Sequence, residues 1–208
     1  MFPFFVILLV HFCLSAPISK QKMIKLEPIL NTLHQGGTIL YPTDTIWGIG
    51  CDASNADAIE KIYQIKQRDH SKSMLILCAG KAQAMLQEWE SLLQPYFSGR
   101  PTTFIIPAEK LPFRLAENLL AADGTIGIRF PQHDFCQKLL NAFGKPIVST
   151  SANFSGEPSP QHYEDISDKL KSKIDYCVSP LPEFESGETN GSRILKILPE
   201  GEVQVIRK

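Results

Sequence analysis

Three cations, Lys66, Arg68 and Lys72, stand within seven residues of one another, next to the apolar run at 73–79. Such a cluster suits a polyphosphate, because arginine grips phosphate oxygens in pairs and lysine adds a compact charge. In a helix beginning near Ala56, Ile59, Ile62 and Tyr63 fall at i, i+3 and i+4, and Lys66 follows at i+7 on the same stripe. A hydrophobe is expected there, so the lysine points toward the interior or toward a cavity. The plainer explanation is that cations closing a helix complement its dipole while Lys66 lays its stem along the surface. Spacing alone favours that explanation.

Three further segments carry polar groups where strands should end. The stretch PIVSTSANFSG, residues 146–156, runs from an apolar strand into Ser149, Thr150 and Ser151, then Asn153 and a glycine turn. Short hydroxyl and amide side chains there can hydrogen-bond a phosphate or a base, or close a turn on their own backbone. The triplet Thr43-Asp44-Thr45 lies between two apolar runs and reads either as a pocket lining or as a capped tight turn. Arg129 ends the strand-like TIGIRF. A buried arginine must be paired, by a ligand carboxylate or by Asp44, Asp123 or Asp134.

The elements that must position these groups alternate. Helical patterns at 27–35, 56–67, 81–93, 113–120, 134–143 and 165–174 interleave with strands at 38–41, 45–51, 73–79, 103–107, 125–130, 146–149, 176–178, 194–198 and 203–206. Asp52 or Ser54 is the expected cap of the second helix. The glycines of TIWGIGC allow close backbone approach. The alternation predicts one α/β domain with a twisted, mixed sheet. No phosphate-loop, dinucleotide or nucleophile-elbow signature is present, so a nucleotide must be held by side chains and a different loop.

A net charge of −1 gives no global attraction for nucleic acid, and RNA would need a local basic patch. The five cysteines lack C-x-x-C spacing and the histidines lack metal-site pairing, which points to a reduced compartment and no structural zinc. Residues 4–14 are apolar and precede small residues, as in an export signal, but no cation precedes them. A mis-assigned upstream start is the favoured explanation. Residues 1–22 are set apart as an extension, and residues 23–208 form the expected domain.

Four segments in order, GGTILYPTDTIWGIGCDA, IKQR with SKSMLIL, TIGIRFP, and PIVSTSANFSGEPSP, resemble the YrdC-like threonylcarbamoyl-AMP synthase family from about Gly36 onward. The specific part is the pairing of K-x-R (Lys66, Arg68) with S-x-N (Ser151, Asn153). The resemblance implies a large concave, positively charged cavity and reverses the bland reading of Lys66 and Arg68, which become the catalytic pair. It places Thr43, Arg129, Ser151 and Ser192 at threonine and Arg68, Lys72, Thr125, Asn153 and Arg207 at the nucleotide. It further implies a cytoplasmic nucleotidyltransferase that makes threonylcarbamoyl-AMP and pyrophosphate from L-threonine, bicarbonate or CO2, and ATP. No protein-held metal is implied, since Mg2+ would ride on the ATP phosphates. A downstream tRNA threonylcarbamoyltransferase, and tRNA itself, are the implied partners, with no stable membrane association. Arg193 departs from the family's usual threonine beside Ser192, and Asp69 from a frequent proline. A double-stranded RNA or tRNA-binding protein of the same fold without synthase activity is the competing reading. A carbamoyl-adenylate enzyme of hydrogenase maturation is a more distant one.

Overall fold

The computed structural model describes residues 24–69, 74–79, 89–97, 99–181, 191–198 and 201–208. Nine strands form one mixed sheet among them: β1 (Ile39–Tyr41), β2 (Gly48–Gly50), β3 (Leu75–Leu77), β4 (Thr102–Pro107), β5 (Thr125–Arg129), β6 (Ile147–Ser151), β7 (Tyr176–Cys177), β8 (Arg193–Ile197) and β9 (Val203–Arg207). Their order across the sheet is β7-β1-β2-β6-β3-β5-β4-β8-β9. β1–β7, β3–β5 and β4–β8 pair in parallel, and the other neighbours are antiparallel. The expected mixed α/β sheet is therefore present. The predicted extension at 1–22 lies outside the described residues.

Close approach is required at Gly50. A Cβ there would collide with the Val148 carbonyl of β6 and lie 2.8 Å from the Tyr41 ring. A side chain would push β2 off its neighbour, which is the physical reason for glycine in this strand. β6 is longer than its sequence pattern predicts. Thr150 and Ser151 pair with Ile49 and Gly48, so these hydroxyl residues belong to the ladder rather than to a turn beyond it.

Helices α1 (Leu26–His34), α2 (Ala56–Lys66) and α4 (Asp134–Phe143) bury Ile29 and Leu33, Ile59 and Ile62, and Leu139 and Leu140 in the core, alongside Ile49, Ile76, Ile128 and Val148 of the sheet. Each such side chain contributes about 1.5–3 kcal/mol by leaving water. The cap of α2 is Asn55, whose Oδ1 accepts from the Ala58 amide at 3.0 Å, and neither of the expected residues caps it. Asp52 is drawn instead into a turn with the Ser54 amide (2.8 Å) and hydroxyl (2.6 Å) and an ion pair with Lys145 (2.8 Å).

Two predicted helices shrink. Within 113–120 only a single 3-10 turn forms, at Glu117–Leu119, because the Ala116 amide is spent on the Ala53 carbonyl at 3.0 Å. Within 165–174 only α5 (Asp168–Lys171) is regular. The predicted helix at 81–93 lies mostly outside the described residues, and its end is α3 (Glu90–Leu93).

Candidate active site

α2 delivers Lys66 to the interior, as its place on the apolar stripe predicts, and the residue is 1% exposed. Its ammonium donates to the Ser151 carbonyl (2.5 Å), the Asn153 carbonyl (2.7 Å) and Asn153 Oδ1 (3.2 Å). Ser151 Oγ in turn donates to Asn153 Oδ1 at 2.5 Å, and Asn153 Nδ2 to the Glu157 carbonyl at 2.5 Å. Burial and the neighbouring Arg68 press the Lys66 pKa down to about 7, with Glu157 opposing. Three acceptors, which only the protonated form can satisfy together, hold the proton on. The K-x-R and S-x-N segments thus meet through Lys66, which is tied to the loop behind the cavity wall with its three protons engaged.

One residue further on, Gln67 takes a left-handed conformation (φ 51°) that ends α2 and turns the chain. Arg68 then reaches the cavity, where its Nη1 lies 3.4 Å from Thr150 Oγ1. Burial lowers the guanidinium pKa, and Tyr63 offsets this in part. Lys72 lies outside the described residues.

β5 ends in Arg129, which is 3% exposed. Its Nη1 donates to Thr45 Oγ1 at 2.7 Å, and its Nη2 stands 3.4 Å from Asp44 Oδ1. Asp44 is thus the partner among the three carboxylates considered from sequence. Thr43 is buried, and its hydroxyl donates to the Ile46 carbonyl at 2.7 Å and accepts from the Thr45 amide at 3.1 Å. The T-D-T triplet is therefore both a self-bonded turn and a cavity wall.

The parallel pairing of β4 with β8 sets Ser192 Oγ 2.7 Å from Thr103 Oγ1. Arg207, at the end of β9, donates through Nε (2.8 Å) and Nη2 (2.5 Å) to the Ser192 carbonyl. Burial lowers its pKa, and Arg100 and Arg129 add to the effect. Arg193 turns away from Ser192: its Nη2 donates to Thr102 Oγ1 at 2.8 Å, and its guanidinium lies 4.7 Å from the centre of the Tyr96 ring.

These pieces enclose a cavity of about 220 Å3 lined by Thr43, Thr45, Arg68, Arg129, Ser149, Thr150, Ser151, Ser159, Ser192 and Arg207, with Ile46, Met74, Leu75 and Ile194 as its apolar floor. Three guanidinium groups face it and no carboxylate lines it among the described residues. Thr45, Ser149, Thr150 and Ser159 were given no ligand role of their own from sequence. The hydroxyl run signalled Ser149 and Thr150, and the T-D-T triplet signalled Thr45. Ser159 carried no such signal. Thr125 begins β5, at the opposite end from Arg129. Its hydroxyl donates to Asp123 at 2.6 Å, and it does not line this cavity.

A hollow of three arginines ringed by hydroxyls has the chemistry that suits small anionic ligands. Over residues 31–208 the chain matches the model of the Sua5/YciO/YrdC family, described as "Telomere recombination", and it belongs to that family. It is 36% identical over 172 residues to a threonylcarbamoyl-AMP synthase of Vibrio parahaemolyticus, covering 79% of this chain and 88% of that one. A threonylcarbamoyl-AMP synthase of Stenotrophomonas maltophilia is 32% identical over 179 residues, covering 82% and 90%. Among solved structures, E. coli YciO superposes with a TM-score of 0.70 at 24% identity, covering 88% of each chain. P. abyssi Sua5 complexed with L-threonine superposes with a TM-score of 0.73 at 24% identity over 89% of this chain. The chain spans 55% of that protein's length, and the two likenesses speak to the fold.

Proposed function

We propose that the protein is an L-threonylcarbamoyladenylate synthase acting in the cytoplasm. It forms threonylcarbamoyl-AMP and pyrophosphate from L-threonine, CO2 or bicarbonate, and MgATP, for the threonylcarbamoyladenosine modification of tRNA. The observation that carries this reading is the cavity with three arginines and, among the described residues, no lining carboxylate. It is supported by the synthases to which the chain is 32–36% identical. That donor set suits carboxylate and phosphate, and Mg2+ would enter as the MgATP complex.

In this reading Arg129 takes the threonine carboxylate, with Ser151, Ser192 and the Thr43–Thr45 wall around the amino acid. The free amine adds to CO2 and loses a proton, giving N-carboxythreonine. A carbamate oxygen attacks the α-phosphorus of ATP, the bond to the bridging oxygen breaks, and pyrophosphate leaves with that electron pair. Arg68 and Arg207 face the phosphates and offset charge that grows on the leaving group, with Lys72 as a third cation. Lys66 fixes the loop bearing Ser151 and Asn153, so that positioning and charge supply the catalysis. Thr125 would reach the nucleotide only from beyond the cavity. The product then serves a tRNA threonylcarbamoyltransferase.

The test is pyrophosphate release by the purified protein with MgATP and bicarbonate. Release is expected to require L-threonine and to fall sharply with L-serine. Threonine-independent release, or none, would refute the assignment.

A further inference from the structure

A second cleft, of about 110 Å3, is lined in part by Asp44, Tyr96, Phe97, Arg100 and Gln132. Its Asp44 pairs with Arg129, which lines the first cavity. Their side chains are 10% and 4% exposed, so this is a buried ion pair. It is also an imperfect one. Asp44 Oδ1 and Arg129 Nη2 are 3.4 Å apart but not aligned as a hydrogen bond, and neither Asp44 Oδ1 nor Arg129 Nε has a hydrogen-bond partner among the described residues. Arg129 is held in place by the 2.7 Å bond to Thr45, and Asp44 by the Gln132 amide at 3.2 Å. Asp44 therefore contributes charge to Arg129 more than it contributes direction.

We infer that Asp44 is the resident counter-charge of Arg129, standing in for the amino-acid carboxylate when the cavity is empty and weakening the hold on that carboxylate when it is full. A buried guanidinium without a counter-ion destabilises a fold strongly, so an empty site needs a resident anion. An incoming carboxylate on the part of Arg129 that faces the cavity would lie close to Asp44 in a poorly screened space, and the two negative charges repel. Asp44 does not line the ligand cavity, so it acts through Arg129 as a positioning residue. In the synthase the effect favours turnover. The product keeps the threonine carboxylate, and a guanidinium already half-neutralised releases it more readily.

The inference rests on the reading that a ligand carboxylate sits at Arg129, and the test separates the two. Titration calorimetry of the full chain and its D44N variant should be run with L-threonine and with L-threoninamide, which lacks the carboxylate. D44N is expected to melt lower when empty, to bind threonine several-fold more tightly, and to bind threoninamide unchanged. Equal or weaker threonine binding by D44N, with the wild-type chain binding normally, would overturn this inference and leave the synthase reading intact. A wild-type chain that binds no threonine would overturn both. Should D44N fail to fold, the double variant D44N/R129Q must recover thermal stability, because the orphaned charge is then gone. Failure to recover would refute the counter-charge role.

Discussion

Lys66 shows how a charged side chain can serve as an interior tie between a helix and a loop. Replacing it with methionine keeps the volume and removes donors from the Ser151 and Asn153 carbonyls. Lys66→Met should therefore cost about 1–3 kcal/mol of stability, read by denaturant unfolding, since it orphans the Asn153 carbonyl while the Ser151 carbonyl keeps the Asn153 amide at 3.0 Å. Arg68→Ala removes a cavity cation, so in the proposed synthase it should abolish pyrophosphate release, with circular dichroism checking that the variant is folded. Wild-type turnover in that variant would remove Arg68 from the reaction. Helix periodicity placed Lys66 on an apolar stripe but left a surface-reaching lysine as the plainer account, and the ordered pairing of K-x-R with S-x-N is what marked Lys66 and Arg68. The partner of Lys66 was not visible, because the Ser151 and Asn153 carbonyls are backbone atoms and no residue type announces them.

At the scale of elements, two joints hold the cationic segment in place. The first is the left-handed Gln67 at the end of α2. Glycine adopts that conformation without the steric penalty, so Gln67→Gly should raise stability by about 1 kcal/mol while leaving Arg68 in place. A lower melting temperature would show that the Gln67 side chain itself is needed. The second joint is Asp52, which links the approach to α2 with Lys145 before β6. Burial would raise its pKa, but hydrogen bonds from Lys145 and Ser54 outweigh burial and lower it below the ordinary 3.8. A depressed folded pKa adds stability above the unfolded value that is lost as pH falls through the folded one. Asp52→Asn should thus flatten the acid limb of the pH–stability curve below about pH 4, and an unchanged limb would exclude the joint. Helices and strands with clear periodicity, α2 and α4 above all, were legible from sequence. Ser192 against Thr103 was not, since that contact depends on β8 lying parallel to β4, and side-chain pattern does not encode strand order.

Across the whole molecule the cavity draws on the turn before β2, on β5 and β6, and on β8 and β9, which stand apart in the sheet order β7-β1-β2-β6-β3-β5-β4-β8-β9. A ligand pair that spans these strands ties them together. Threonine with a non-hydrolysable ATP analogue should raise the melting temperature by more than the sum of either alone, because the first ligand pre-organises the cavity for the second. A merely additive rise would mean independent subsites. The same strand order bears on synthesis. Thr43 and Arg207 face one cavity from nearly opposite ends of the chain, so loops of great length must close before the site exists, and such topologies fold slowly. Until Arg207 has cleared the ribosome, a nascent chain with most of its sheet already paired still has no complete binding site.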